Sequence, residues 1–436
     1  MSTTDAAVGG LSTPPGYAPL TEQSLAEYLA GVADVAARLG GGPADWTIRE
    51  VGDGNLNLVF LVDGPAGACC VKQALPYVRL VGPDWPMPLT RAYYEYRSLT
   101  DHGRYTGAAV PEIYHYDAQR FVIVMEVLRP HIIMRRGMID GIVYPHFAKA
   151  MGKFCARTLF HTSALHLPAR VVKENVADYA GNHALCKITE DLIFTDPYQE
   201  AALNRWTSPQ LDGVKAAFEA DADLKLAVAR LKAKFIGSPE ALIHGDLHTG
   251  SIMVTPDDTR VIDSEFAFYG PRGFDLGAII GNLLINYFAQ DGHAAENRPS
   301  ETPRGEYQDW VLGTIEKFWR VFAVWFTHRW ETRGTGDAYT AALFADDVGS
   351  AVMDRERRRY MQAMFHDALG FAGAKMIRRI LGLAHNIDLE WIEDPDHRAA
   401  CERRCLMMAR DLIVYAPTFS RIDDVTEAAI RRREMG

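Results

Sequence analysis

The chain has 436 residues, with 46 Lys and Arg against 56 Asp and Glu, a net charge of −10 and 48% apolar residues. Such a length makes two or three domains, or one two-lobed enzyme, and buries a large core without disulfides. The acidic balance excludes a broad nucleic-acid surface, so any anionic ligand needs a locally basic pocket.

The six cysteines show no Cys-x-x-Cys spacing. Free, buried thiols and a reducing compartment are therefore expected. The N-terminus, "MSTTDAAVGGLSTPPGYAPL", lacks a basic segment followed by an apolar one, so it reads as a loose tail and not as a secretory signal.

Taken in chain order, residues 22–39 carry apolar residues at helical spacing and stop at three glycines. Residues 47–73 read as strands joined by glycine turns, 90–102 as a helix, and "FVIVMEVL" (121–128) as a strand. Long helical patterns then occupy 146–166, 213–235, 309–331 and 356–384. Between them lie short strands in "ALIHGD", "SIMV" and "TRVIDSEF". "GAIIGNLLINYFA" (277–289) is too short to span a bilayer and is expected to be a core helix. "ENRPSETPRGE" (296–306) reads as a surface loop. The expected organisation is α+β, with a small β-rich N-lobe (1–126) and a large, mainly helical C-lobe (127–436).

Four stretches carry chemistry. Gly52, Asp53, Gly54, Asn55 and Asn57 lie in "VGDGNLNLVF", a glycine turn between strands. Glycines let backbone amides approach phosphates, although alone this is an ordinary hairpin turn. Lys72 follows in an apolar run, suited to phosphates as a point charge. Glu95, on the next helix, is its candidate partner; taken alone it is a solvated carboxylate. "HGDLHTGS" parallels the kinase loop H-R-D-L-x-x-x-N, with Asp246 as the hydroxyl-facing carboxylate and Ser251 in place of asparagine. Asp263 and Glu265 follow on an apolar run read as a strand, where a period of two puts both on one face. Two carboxylates there need a cation, and Mg²⁺ is the natural one beside phosphates. The backbone of Glu126 and Val127, at the lobe junction, would face adenine. Phosphate loop, lysine, hydroxyl-facing aspartate and metal carboxylates thus occur in the order that phosphoryl transfer from ATP requires. A metal hydrolase built on His244, Asp246 and His248, or a nucleotide-binding module without turnover, are the competing readings.

Together, "VGDGNLNLVF", "VKQALPYVR" with "GPDWPMPLTR", "HGDLHTGSI", "EFAFYGPRGFDLG" and "GFAGAKMIRRILGLAH" resemble the 5-methylthioribose kinase family. That family belongs to the aminoglycoside-phosphotransferase-like branch of the protein-kinase-like fold. The resemblance runs from about residue 20 to about residue 400. It implies a bilobal fold and ATP-dependent phosphorylation of the anomeric 1-hydroxyl of 5-methylthioribose, in methionine salvage. It also implies a cytoplasmic homodimer without membrane or nucleic-acid partners. Asp246 takes the catalytic role, Asp263 and Glu265 the metal, and Arg378 and Arg379 the sugar. The segment with Trp85 resembles the family's tryptophan-bearing loop. Ser264 between the carboxylates and the "MEVL" hinge depart from the family's usual residues. The alternative is a phosphotransferase of this fold acting on another sugar or small alcohol. Consecutive helical residues point about 100° apart, so Arg378 and Arg379 are not equivalent.

Overall fold

The structure is a computed structural model and describes residues 6–8, 11–52, 56–79, 81–294 and 299–435. The chain divides into two compact units. The first comprises 1–130, 182–185 and 262–267, and the second the remainder.

The first unit is built on a five-stranded antiparallel sheet. Its order is Thr47–Glu50, Asn57–Asp63, Ala68–Ala74, Val122–Met125, Ile113–Asp117. Alternation along Ala68–Ala74 sends Cys69 and Val71 to one face, where they join Leu25, Leu29, Phe60 and Val124 in a core. Lys72 therefore points to the opposite face. The expected helix over 22–39 is two helices, Glu22–Ala30 and Ala33–Leu39. The first closes at Gly31, whose N–H bonds back to Tyr28 and Leu29. The helix expected at 90–102 runs Arg91–Thr106.

The second unit is mainly helical. Gly273–Ala289 is buried throughout, so "GAIIGNLLINYFA" is a core helix. Among the described residues no helix is long and apolar enough to cross a membrane. Of the surface loop expected at 296–306, residues 296–298 lie outside the described residues, and Arg304 already begins the helix Arg304–Arg333. The pattern over 213–235 is two helices, Asp212–Ala220 and Ala222–Gly237. Asp221 separates them, and its side chain caps the second by accepting from the Leu224 amide.

Gly273, Gly277 and Gly281 form a one-face stripe that lets Gly273–Ala289 lie against the long helix Asp347–Leu381. A Cβ on Gly277 would sit 2.5 Å from the Ala368 carbonyl oxygen and 2.7 Å from the Ala372 amide nitrogen. Both atoms are helix backbone and cannot swing aside. Gly277→Val is expected to destabilise the protein by at least about 1–3 kcal/mol, the usual cost of overpacking. Urea unfolding checks it, and an unchanged midpoint would show that the two helices can separate freely.

Candidate active site

In the first unit, the Arg91–Thr106 helix brings its side chains to the sheet face that carries Lys72. The Lys72 ammonium lies 2.8 Å from Glu95 and also pairs with Asp263. Burial alone would lower its pKa, but Asp263, Glu95 and Glu265 raise it strongly, so the lysine stays charged. Burial raises the Glu95 carboxyl, opposed by the Lys72 ammonium.

The carboxylates do not emerge from one strand face. The strand runs only Thr259–Val261, and Asp263 takes a left-handed backbone, φ 68°, which breaks the alternation. Such a conformation on a non-glycine residue stores about 1–3 kcal/mol of strain, and it concentrates at functional sites. As a result the two carboxylates meet different cations. Half-exposed Asp263 pairs with Lys72. Buried Glu265 receives the Asn57 side-chain amide at 3.1 Å and lies 3.2 Å from Arg91 Nε. These contacts explain why both residues, expected with the second part of the chain, belong to the first unit. Ser264 is buried, and its backbone and hydroxyl oxygens meet the Ser98 hydroxyl.

Arg91 is a residue that sequence reasoning missed. It is fully buried and donates to the carbonyls of Leu75, Pro88 and Leu56 and to the Asn57 side chain, at 2.7–3.0 Å. Its available signal was helical spacing, four residues before Glu95. Asn57, expected at the nucleotide, is the first residue of its strand and lies in this buried network between Arg91 and Glu265. Gly52 has open space around its Cβ position, whereas Asp53, Gly54 and Asn55 lie outside the described residues. The Glu126 amide donates to the Glu112 carbonyl at 2.8 Å. That amide is therefore already engaged within the first unit. Trp85 lies on the strand Gly82–Pro86, paired with Tyr77–Val78.

In the second unit, the loop after Ala241–Ile243 is clamped from below. The amides of His244 and Gly245 donate to Asp275 at 2.7 and 3.1 Å. The Asp246 amide donates to His244 Nδ1 at 3.3 Å, and the Ser251 hydroxyl donates to the Asp246 carbonyl at 3.0 Å. His244 and Ser251 thus brace the loop. Half-buried Asp246 accepts from Lys375 Nζ at 2.7 Å. Burial alone would raise its carboxyl, yet Lys375 and His248 bring it well below the usual carboxylate range.

Lys375 is the second missed residue. It lies in "GFAGAKMIRR", three and four residues before Arg378 and Arg379, so the three cations share one helix face. Burial depresses both arginines; the charge of Arg379 adds to it at Arg378, which falls to about 9, whereas Asp246 and Asp388 oppose it at Arg379. Arg379 donates through Nη1 to the Ala384 carbonyl at 3.1 Å, while the Nε of both arginines is buried without a hydrogen-bond partner among the described residues.

Among the described residues no group of three or more His, Cys, Asp or Glu side chains could hold a metal ion. Mg²⁺ does not require one, since one or two carboxylates plus substrate phosphates and water complete its shell. Asp263 and Glu265 fit that donor set, each being neutralised here by a cation that a bound ion could relieve.

The model of the phosphotransferase enzyme family matches residues 47–307. The chain is 47% identical over 413 residues to methylthioribose kinase 1 of Oryza sativa subsp. japonica, covering 94% of each. It is 44% identical over 419 residues to methylthioribose kinase of Escherichia coli O45:K1, covering 96% of this chain and 99% of that one. The likeness to methylthioribose kinase of Yersinia enterocolitica is 40% over 422 residues, with the same coverage. With its β-sheet lobe and larger helical lobe of protein-kinase-like fold, the chain belongs to the methylthioribose kinase family, within the phosphotransferase enzyme family.

Proposed function

We propose that the protein transfers the γ-phosphoryl group of ATP to the anomeric 1-hydroxyl of 5-methylthioribose, giving the 1-phosphate and ADP in methionine salvage. The observation that carries this reading is the likeness to methylthioribose kinases, at 44–47% identity over more than nine-tenths of the chain.

The geometry supports the following roles. Lys72, held charged by Glu95, would exchange Asp263 for phosphate oxygens. The glycine loop, Gly52 to Asn55, would add backbone donors to those phosphates. The Glu126 carbonyl and Val127 would receive adenine. Asp263 and Glu265 would hold Mg²⁺, which neutralises phosphate charge when bound. Asp246 would accept a hydrogen bond from the attacking hydroxyl and orient it, with Arg378 and Arg379 on the sugar side. Phosphoryl transfer depends mainly on such positioning and on charge neutralisation.

A homodimer and a cytoplasmic location complete the reading. The family resemblance supports the first, and six free cysteines are compatible with the second. Light scattering on the purified protein checks the dimer.

An ADP-release assay with ATP and Mg²⁺ against a panel of acceptors tests the function. ADP is expected to accumulate with 5-methylthioribose and not with ribose, choline or an aminoglycoside. Faster turnover of another acceptor would favour the alternative substrate class. No ADP with authentic 5-methylthioribose would sink the proposal.

A further inference from the structure

Asp246 has a nitrogen group beside each carboxylate oxygen. Lys375 Nζ lies 2.7 Å from Oδ1, and His248 Nε2 lies 3.2 Å from Oδ2. The backbone sets the imidazole tautomer. The Gly250 amide lies 2.9 Å from His248 Nδ1 and donates to it. An amide N–H can only donate, so Nδ1 is the accepting nitrogen and the ring proton of the neutral form sits on Nε2, facing Asp246. Burial, opposed by Asp246 and reinforced by Arg135 and Arg379, keeps the His248 pKa down at about 3. The ring is therefore neutral at working pH. Gly250 is part of the device, because a Cβ there would lie 2.7 Å from His248 Cε1 and 3.1 Å from Arg135 Nη1.

Lys375 is buried, and its ammonium also lies 4.5 Å from the centroid of the Phe274 ring. A lysine in that setting is tolerable because of its carboxylate partner. A carboxylate offers about four lone-pair sites. One donor on each oxygen leaves room for a substrate hydroxyl and removes the freedom to rotate.

We propose that Lys375 and His248 are positioning residues that lock Asp246 as a fixed, ionised acceptor for the sugar hydroxyl. This rests on the assignment of Asp246 above. The hydroxyl oxygen bonds to the γ-phosphorus as the bond from that phosphorus to the ADP oxygen breaks. The hydroxyl proton passes to Asp246 as the new bond forms, and from there to solvent. The groups facing Asp246 are Lys375, Arg378 and Arg379 from the long helix, His248 from its own loop and Arg135 from the helix Met134–Ile139.

The test uses the full-length enzyme with ATP, Mg²⁺ and its best acceptor. Lys375→Met is expected to lower kcat by about 10²-fold through misplacement of the carboxylate. It should also move the acidic limb of the kcat profile up by about 1–3 pH units. The sign follows from the pairing: removing a cation raises the Asp246 pKa, so activity is lost at a higher pH. His248→Gln keeps an amide donor near the Nε2 position and should retain most of kcat, whereas His248→Phe should not. An acidic limb unmoved in folded Lys375→Met would overturn the proposal. Nitrogen-15 NMR of the wild-type protein supplies a readout without turnover. His248 in the Nε2–H form, uncharged down to about pH 4, supports the lock. An Nδ1–H form, or ordinary titration near about 6.5, overturns it. Because any acceptor serves for the pH profile, a different substrate would overturn the proposed function and leave the lock standing.

Discussion

Asp246→Asn is expected to lower kcat by about 10²–10⁴-fold, the range for removing a positioned proton acceptor, with ATP binding retained. The amide keeps the shape of the carboxylate, and its oxygen still accepts from Lys375. Asp246→Ala should lose as much activity and also stability, because it strands Lys375, which is 2% exposed, without its partner. Breaking a buried pair costs about 3–5 kcal/mol. Comparing the two variants by turnover and by urea unfolding separates the chemical role from the structural one. Turnover in Asp246→Asn near the wild-type rate would remove Asp246 from the reaction. The pH dependence has a defined sign. The folded-state pKa of Asp246 is depressed, so its contribution to stability is present above the ordinary carboxylate range. That contribution is lost only as pH falls from there through the lower folded value.

Arg91→Met is expected to cost about 3–5 kcal/mol in urea unfolding and to impair metal-dependent turnover. The guanidinium ties three carbonyls, Asn57 and Glu265 together from a position with no solvent exposure. Without it, the Glu265 carboxylate keeps the Asn57 side-chain amide as its hydrogen-bond donor. Arg91→Lys should not rescue, since an ammonium cannot reproduce a planar fork of five donors. A loss below about 1 kcal/mol, the scale of an exposed ion pair, would show that this network is not what holds Glu265.

The candidate site was partly legible in the residues. Lys72 stood out because a lysine amid Cys70 and Val71 needs a partner, and Glu95 supplies it. The loop around Asp246 was legible because its spacing is local. The strand drawn through Asp263 and Glu265 was not correct. An apolar run does not reveal a left-handed residue that ends the alternation, and the strand stops at Val261. Likewise, the periodicity over 22–39 and 213–235 does not mark the breaks near Gly31 and at Asp221. Helical spacing continues through such breaks, whereas the backbone does not.

By itself the sequence determined the α+β class, the order of the phosphate, lysine and carboxylate motifs, and through their combination the family. These follow from composition, short periods and spacings of a few residues, which local backbone geometry imposes. Only the tertiary structure decided the partners. Lys375 meets Asp246 across 129 positions, and Asn57 meets Glu265 across 208. His248 acquires its tautomer from a backbone amide in a folded loop. A buried charge takes whatever counter-charge the packing of distant elements delivers, and no local pattern encodes that.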